Sequence, residues 1–302
     1  MLEILTKAGC YIAIIILGYL LRRKEYLPEE TFGILAKISL NIALPAAIIA
    51  NTSGKSIHIG LMTIALLGVG CGLFKMLLIF LLHFKDSKEE NAFRVLNVAG
   101  YNIGNFAMPF TQSFLGPMGV LTCSLFDIGN AFICLGGAYG IATTVKEGKG
   151  FSLLKILKAP LKSVPFLVYV TMAILNLCSV TLPKPVISLA EIIGSSNAFL
   201  AMLMIGVGFK LSGDRSQIRK VVEILGLRYS VSIVLALAFY FGLPFSVEIR
   251  QALVLLVFSP IGSAIPAFTE KLGADAGLSS AINSISIICS IVFMVVLLIV
   301  ML

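Results

Sequence analysis

The sequence predicts an all-α, polytopic membrane protein with ten transmembrane helices arranged as two inverted five-helix repeats. Three observations support this fold: the composition, the spacing of long apolar segments, and a motif that recurs in both halves. Of the 302 residues, 58% are hydrophobic and 13% are charged, and the mean hydropathy is +1.02. Soluble domains have about 45–50% apolar and about 25% charged residues. The composition therefore excludes a soluble enzyme, a nucleic-acid-binding protein, a disulfide-stabilised domain and a disordered chain.

Ten apolar segments are long enough to cross the hydrocarbon layer as helices, which takes about 20 residues each. They are too long and continuous for barrel strands, the other backbone arrangement that lipid tolerates. The predicted spans are residues 4–21, 32–51, 58–82, 91–115, 118–143, 164–182, 187–209, 221–242, 249–270 and 277–301.

Basic residues are concentrated on one side of these ten spans. Short loops rich in Lys and Arg face the cytoplasm, so both termini are predicted to lie outside, in a multi-pass protein of the plasma membrane. Eighteen of the 23 basic residues fall on the cytoplasmic side: Arg22, Arg23, Lys24, Lys37, Lys85, Lys88, Arg94, Lys146, Lys149, Lys155, Lys158, Lys162, Lys210, Arg215, Arg219, Lys220, Arg228 and Lys271. Lys7, Lys55, Lys184 and Arg250 fall on the other side, and Lys75 lies within a span.

The longest connection divides the chain into two halves of five spans. Residues 1–145 form the first predicted repeat, residues 146–163 a basic cytoplasmic linker, and residues 164–302 the second repeat. Because each half has an odd number of spans, the halves insert into the membrane with opposite orientation.

A motif supports this relation between the halves. The segment from Asn102 to Gly116 aligns with the segment from Pro260 to Gly273, with Ile-Gly, Pro, Leu and Gly in the same order. Each segment lies in the fourth span of its half, so the two are predicted to be structurally equivalent.

Both aligned segments contain residues that interrupt helices. Proline removes a backbone donor and clashes with the preceding turn, and glycine lowers the cost of leaving helical geometry. Spans four and nine are therefore predicted to be broken helices. Unwound backbone at membrane depth is tolerated only beside protein or a water-filled cavity. Two interrupted spans in corresponding positions of inverted halves indicate a transporter binding site.

The broken spans predict an anion site. A half-helix that begins near the membrane midplane presents unpaired N–H groups and a partial positive charge. Two such ends bind an anion without any buried Arg or Lys, and we expect an organic carboxylate. Exposed carbonyl groups in the same breaks are candidate ligands for a small cation. The predicted substrate-binding residues are Asn41, Asn102, Gly104, Asn105, Pro109, Ser259, Pro260, Gly262, Ser263 and Pro266.

Asp127, Asn130 and Asn283 are the candidate ion-coupling residues. An ionisable residue inside a span is a functional candidate by default, and Asp127 lies near the middle of span five. Asn283, with Ser284 and Ser286, lies at a similar depth in span ten. The alternative roles are structural: Asp127 pairs with Asn130 or a neighbouring backbone, and the polar residues of span ten hold helices together.

Two further features have alternative interpretations. Three roles are open for Lys75: it pairs with Asp127, it attracts an anion, or its side chain extends along the span to the cytoplasmic surface. Asn41 and Pro45 mark a polar kink in span two, which either lines the site or is structural.

No metal or cofactor site is predicted. The six cysteines are scattered singly through apolar segments, without a CxxC pair or a histidine at ligand spacing. No histidine and no pair of carboxylates lies at mid-membrane, so an intramembrane enzyme is not expected. No nucleotide-binding motif is present, and the drive must come from an ion gradient, with Na⁺ or H⁺ as the candidate ion, or from the substrate's own gradient.

These motifs together resemble the auxin efflux carrier family, whose bacterial members are often described as malate or malonate permeases. The resemblance extends over essentially the whole chain in span count, polarity and motif order. The segments that carry it are Asn41-Ile-Ala-Leu-Pro45, Asn102 to Pro109 with Leu115-Gly116, Ser259 to Pro266, and Lys271 to Ala276.

The resemblance implies a fold similar to that of the bile acid–sodium symporters, in which spans four and nine cross at the substrate site. It also implies an elevator mechanism and a homodimer formed by the first two spans of each half. The chain departs from the family pattern before the first proline, where Gly104-Asn105-Phe106-Ala107 is more polar. The family's substrates therefore do not transfer directly to this chain.

The predicted function is secondary active transport of small organic anions by elevator-type alternating access, with the lipid bilayer as the surrounding partner. The alternatives are a gradient-independent facilitator or channel, and a membrane sensor on the same fold that does not transport.

Overall fold

The computed structural model of the chain describes residues 2–28, 30–55, 57–148, 150, 152–209 and 217–302. Three of the basic residues assigned to the cytoplasmic side, Lys149, Lys210 and Arg215, lie outside the described residues.

The first half of the chain is helical from its beginning. Three of its segments are π-helical and one is a 3₁₀ turn, and these separate the α-helices at kinks. The α-helices are Leu2–Arg23, Thr31–Ile38, Leu44–Thr52, Thr63–Leu82, Lys88–Val98, Met108–Phe114, Gly116–Phe132 and Ala138–Glu147; the π-helices are Ser39–Ala43, Ile103–Ala107 and Ile133–Gly137; the 3₁₀ turn is Ile59–Met62.

The second half is also helical, and it includes part of the predicted linker. Its α-helices are Leu153–Lys158, Val164–Leu177, Lys184–Gly194, Asn197–Gly208, Ile218–Gly242, Val247–Val257, Ile265–Lys271 and Ala276–Met301, with a 3₁₀ turn at Pro160–Lys162. The linker helix meets Val164–Leu177 at an angle of 85°. The linker predicted at residues 146–163 is thus partly helical.

The described part of the chain contains seven helical segments long and apolar enough to cross a membrane, or eight if the bent pair Leu153–Lys162 and Val164–Leu177 forms one span. This confirms the prediction of an all-helical, multi-pass membrane protein. Helical residues occupy all ten predicted intervals. The number ten and the inverted repeat stay predictions, because several of the intervals are divided into shorter helices.

Predicted spans four and nine are both broken, as the glycine and proline pattern predicted. Span four is interrupted at residues 99–102, here called the first break, and span nine at residues 258–264, the second break. Pro260 lies within the second break, whereas Pro109 and Pro266 stand in the first turn of the short helices that follow the breaks. Proline is tolerated there because its missing N–H would have no helical acceptor. In the first break Gly100 has a φ of +65°, which favours glycine.

The helices of the two halves pack against each other. Leu2–Arg23 lies along Asn197–Gly208, and Leu44–Thr52 lies along Lys184–Gly194. Within the first half, the span that ends at Leu82 packs along Gly116–Phe132. The buried core therefore surrounds the two breaks, with Phe106, Phe126 and Leu255 almost fully buried beside them.

Close helix contacts depend on small residues, as is typical of membrane proteins. At Gly129 the backbone approaches the carbonyl group of Ala65 on the neighbouring helix so closely that an added Cβ atom would overlap it. At Gly226 a Cβ atom would meet no other atom within 4 Å. The two positions form a matched pair of helical glycines.

We expect Gly129→Ala to lower the free energy of unfolding by about 1–3 kcal/mol, because the added methyl group forces two backbones apart. The thermal unfolding midpoint of the purified protein in detergent measures the effect. Gly226→Ala is the control and should leave the midpoint unchanged or raise it, because alanine favours helix. Equal midpoints for the two variants would contradict the packing described.

Candidate functional site

The two breaks meet inside the protein. The backbone N–H of Asn102 donates to the carbonyl oxygen of Pro260 at 2.9 Å, so the first break is bonded directly to the second. A cavity lies on each side of this contact. The first cavity has a volume of about 130 Å³ and the second about 230 Å³. Asn102 and Ser263 line both, and together they form the partition between the two cavities.

Most of the predicted site residues come together at these cavities. The first cavity is lined by Asn102, Gly104, Asn105, Asp127, Asn130, Gly262 and Ser263. The second is lined by Asn102, Ser263, Pro266, Asn283 and Ser284. Residues proposed for substrate binding and for ion coupling thus share the same cavities, although they belong to four different spans.

Four predicted residues do not line either cavity. Asn41 is exposed on the π-helical segment of span two, while its neighbours Leu40 and Leu44 face the first cavity. Pro109 is buried within Met108–Phe114. Ser259 and Pro260 contribute backbone carbonyl oxygens, which accept bonds from Arg228 and Asn102. A π-helical turn redirects its side chains, which explains the outward position of Asn41.

Asn130 holds the first break in place. Its amide oxygen accepts from the backbone N–H of Tyr101 at 3.0 Å, and its amide nitrogen donates to the carbonyl oxygen of Tyr101 at 2.9 Å. The same nitrogen donates to Asp127 Oδ1 at 2.8 Å. The structural pairing of Asp127 with Asn130 is therefore present, and it orients the carboxylate at the wall of the first cavity.

Asn105 and Gly104 face the same space as Asp127. The buried Oδ1 atom of Asn105 accepts no hydrogen bond from any described residue. A Cβ atom added to Gly104 would lie 2.7 Å from Leu44, 3.7 Å from the Tyr169 hydroxyl and 3.8 Å from Asp127 Oδ2. Glycine at position 104 thus keeps open the part of the cavity between the carboxylate and the tyrosine.

Two cations lie buried behind the breaks, which corrects two predictions. Lys75 is 1% exposed and donates to Ser232 Oγ at 3.0 Å, so it neither pairs with Asp127 nor extends to the surface. Arg228, assigned to the cytoplasmic side by the charge pattern, is also 1% exposed. Buried Lys and Arg side chains therefore lie near the breaks, in addition to the helix ends that are expected to bind an anion. No described carboxylate pairs with either cation.

Tyr101 connects the two cations. Lys75 Nζ lies 4.3 Å and the guanidinium carbon of Arg228 lies 5.1 Å from the centre of its ring. Both distances are within the range of cation–π attraction, about 6 Å. The ring thus separates two like charges while it interacts with each.

Several residues of the site were missed by the sequence predictions. Tyr101, Tyr169 and Ser163 line the first cavity, and Arg22 lines the second. Arg228 carried a signal that could have identified it, because it lies seven residues into predicted span 221–242, about 10 Å along the helix. The rule that marks intramembrane charges as functional candidates applies to Arg228 as it does to Asp127.

We expect Asn130→Ala to lower the unfolding midpoint, because it leaves the buried N–H of Tyr101 without a partner, at about 1–3 kcal/mol, and removes one of the bonds to the Tyr101 carbonyl oxygen. Asp127→Asn should have a much smaller effect, since an amide oxygen still accepts from Asn130. Asn197→Ala provides the control: Asn197 is fully buried, and its side chain bonds to no described residue. Thermal unfolding in detergent measures all three. A midpoint for Asn130→Ala as high as that for Asn197→Ala would contradict the role of Asn130.

Comparison with known proteins identifies the first half of the chain. Residues 10–155 match the model of a family described as "Membrane transport protein", the family of the auxin efflux carriers. No curated protein matches the chain. Proteins of this family are transporters and are typically not enzymes. Residues 10–155 therefore form a membrane transport protein domain, and this domain contains the first break together with Asp127 and Asn130.

Proposed function

We propose that the whole chain is a secondary transporter of small organic anions, a carboxylate carrier of the auxin efflux carrier family. The observation that carries the proposal is the contact between two broken spans, with amide and hydroxyl side chains of both spans lining the cavities beside it. Membership of residues 10–155 in a transport family supports the same conclusion. The coupling ion is Na⁺ or H⁺, and the location is the plasma membrane with both termini outside.

The first cavity has the chemistry to bind a carboxylate. The helical segment that follows the first break begins at Ile103, whose N–H donates to the Tyr101 carbonyl oxygen; the N–H groups of the rest of its first turn lack acceptors in a preceding turn. Its electropositive end faces the cavity through Gly104 and Asn105. Asn102 and Ser263 add polar side chains from both breaks. The buried cations Lys75 and Arg228 raise the local electrostatic potential without touching the cavity wall.

Asp127 gives the same cavity a group of opposite charge. A carboxylate next to an anion-binding helix end is suited to hold a proton or a small cation that accompanies the substrate. Its bond to Asn130 places it one helical turn from the residue that fixes the first break. Substrate and coupling ion would thus be sensed by the same segment of backbone.

Each cavity is lined by a residue at a span end assigned to the cytoplasm: Ser163 lines the first cavity and Arg22 the second. At the opposite side, Tyr11 bonds to the carbonyl oxygen of Pro109 at 3.2 Å and to the Ser113 hydroxyl, and Lys7 reaches the Ser113 carbonyl oxygen at 3.4 Å. A site accessible from one side at a time is what alternating access requires. An elevator movement and a homodimer are part of the same proposal.

Uptake of radiolabelled malate and other small carboxylates into proteoliposomes tests the proposal. We expect saturable accumulation that responds to an imposed Na⁺ or H⁺ gradient. Asn105→Ala should raise KM by about tenfold or more, as expected when a charge-assisted hydrogen bond is lost. Asp127→Asn should reduce the response to the ion gradient while exchange of carboxylates persists.

Asn51→Ala is the control for these variants, because Asn51 bonds within its own helix to the carbonyl oxygen of Ala47, away from both cavities. It should transport normally. Uptake that does not saturate would favour a facilitator or channel. Absence of both accumulation and exchange for all carboxylates would reject the proposal and favour a sensor.

Gly104→Ala tests the location of the substrate. The added methyl group contacts Leu44 and enters the space beside Tyr169 and Asp127. We expect KM to rise for larger dicarboxylates more than for acetate, because a smaller substrate leaves room for the methyl group. Competition between carboxylates for uptake measures this. An equal change for all substrates would place them elsewhere.

A further inference from the structure

Arg228 makes an unusual set of bonds for a buried cation. Its Nη1 atom donates to the carbonyl oxygen of Val98 at 2.6 Å. Its Nη2 atom donates to the carbonyl oxygens of Gly100 and Ser259, each at 2.9 Å. One nitrogen therefore bonds to one carbonyl group of the first break and one of the second.

These acceptors lie at or just beyond the C-terminal ends of helices. Val98 is the last residue of Lys88–Val98, whereas Gly100 and Ser259 lie two residues beyond the ends of Lys88–Val98 and Val247–Val257. The last carbonyl groups of a helix lack partners within it and carry a partial negative charge. Arg228 thus bonds the end of the first half-helix and the backbone just beyond both half-helices, with a planar group whose donors have a fixed geometry.

The neighbour of Arg228 on the next turn completes the arrangement. Ser232 Oγ lies 2.6 Å from the carbonyl oxygen of Val257, the last residue of its half-helix, and it accepts from Lys75. The cation at position 75 therefore acts on the same helix end through the serine hydroxyl. Helix Ile218–Gly242 presents both Arg228 and Ser232 to the breaks, on one face.

We propose that Arg228 is a positioning residue that fastens the two half-helices together and sets the spacing of the breaks around the first cavity. It contacts neither cavity and acts through the backbone. Since Asn102 and Ser263 line the cavities from opposite breaks, a change in this spacing alters the distance between their side chains. The consequence for substrate affinity rests on the proposed function; the structural role does not.

A disulfide reports the spacing directly. A Cβ atom added to Gly262 lies 3.9 Å from Cys134 Cβ, within the range of about 3.5–4.5 Å found in disulfides. Cys134 contacts the first break through the Tyr101 carbonyl oxygen, so a bond from position 262 links the second break to the first. The parent protein for the experiment carries Gly262→Cys and retains Cys134, with the other cysteines replaced by alanine or serine: Cys10, Cys71, Cys123, Cys178 and Cys289.

The experiment measures the rate of disulfide formation in detergent, with copper–phenanthroline as catalyst and dissolved oxygen as the oxidant, as loss of maleimide-reactive thiol in the parent and in Arg228 variants. We expect Arg228→Ala to slow the reaction by about tenfold or more, because three bonds from a charged donor are lost. Guanidinium chloride at millimolar concentration should restore much of the rate of disulfide formation in Arg228→Ala. NaCl at the same concentration should not. The rate for Arg228→Lys should lie between those of the parent and of Arg228→Ala, because one ammonium nitrogen cannot reproduce the planar geometry of the guanidinium group.

Arg250→Ala is the matched control. Arg250 also bonds a carbonyl oxygen, that of Tyr240 at 2.6 Å, and lies 5.7 Å from a tyrosine ring centre, but away from both breaks. Its variant should form the disulfide at the parent rate with no response to guanidinium. An unchanged rate in Arg228→Ala, an equal loss in Arg250→Ala, or failure of guanidinium to act differently from NaCl would overturn the proposal.

If Arg228→Ala does not fold, Arg228→Lys tests the proposal. A rate of disulfide formation in Arg228→Lys equal to that of the parent protein would also overturn the proposal. Transport provides a separate readout, in which Arg228→Lys should raise KM more than it lowers kcat. If the wild-type protein transports no carboxylate, the proposed function fails, while the disulfide rates still test the role of Arg228.

Discussion

The structure depends on one constraint: backbone N–H and C=O groups at membrane depth need partners, because lipid offers none. A continuous helix meets this requirement by itself, whereas the two breaks expose several groups that cannot pair within a helix. The protein supplies the partners from side chains of other helices. Asn130 bonds to the backbone N–H and C=O groups of Tyr101. Arg228 donates to three carbonyl oxygens, and Ser232 bonds to a fourth. A backbone hydrogen bond, from the N–H of Asn102 to the carbonyl oxygen of Pro260, joins the breaks to each other.

This distribution of partners makes the two sides of each break different. The carbonyl ends of the half-helices face buried cations, whereas the amide end that begins at Ile103 faces a cavity. Side chains therefore already hold the groups of negative partial charge, and groups of positive partial charge are left for a ligand. Under the proposed function, the positive charge of Arg228 behind the first break would favour an anion in the first cavity without contacting it. The cation is part of the scaffold of the site.

The sequence predicted much of this fold, because hydrophobic length and helix-breaking residues are local signals. The helical intervals and the positions of both breaks could be read from apolar runs and from Gly and Pro. The partners of the breaks could not be predicted in the same way. Arg228 is separated from Val98 by 130 positions in the chain. Every residue has a backbone carbonyl group, so the sequence does not indicate which carbonyl groups accept the bonds. Asn41 lies outside both cavities because a π-helical segment changes which face a residue occupies, which the 3.6-residue period does not anticipate.

The repeated motif does not make the two cavities equivalent. In the first, Asn130 binds the backbone of the break and also orients Asp127; in the second, Ser286 Oγ accepts from the N–H of Ile261, and the polar residue near the matching depth is Asn283. A carboxylate lines one cavity and an amide lines the other. An amide cannot take up or release a proton, so under the proposed function a coupled proton would be held on the side of Asp127. Asn102 and Ser263 line both cavities and connect the side that carries this carboxylate to the side that carries Asn283 and Arg22. The two breaks thus share glycine and proline residues but differ in the side chains around them.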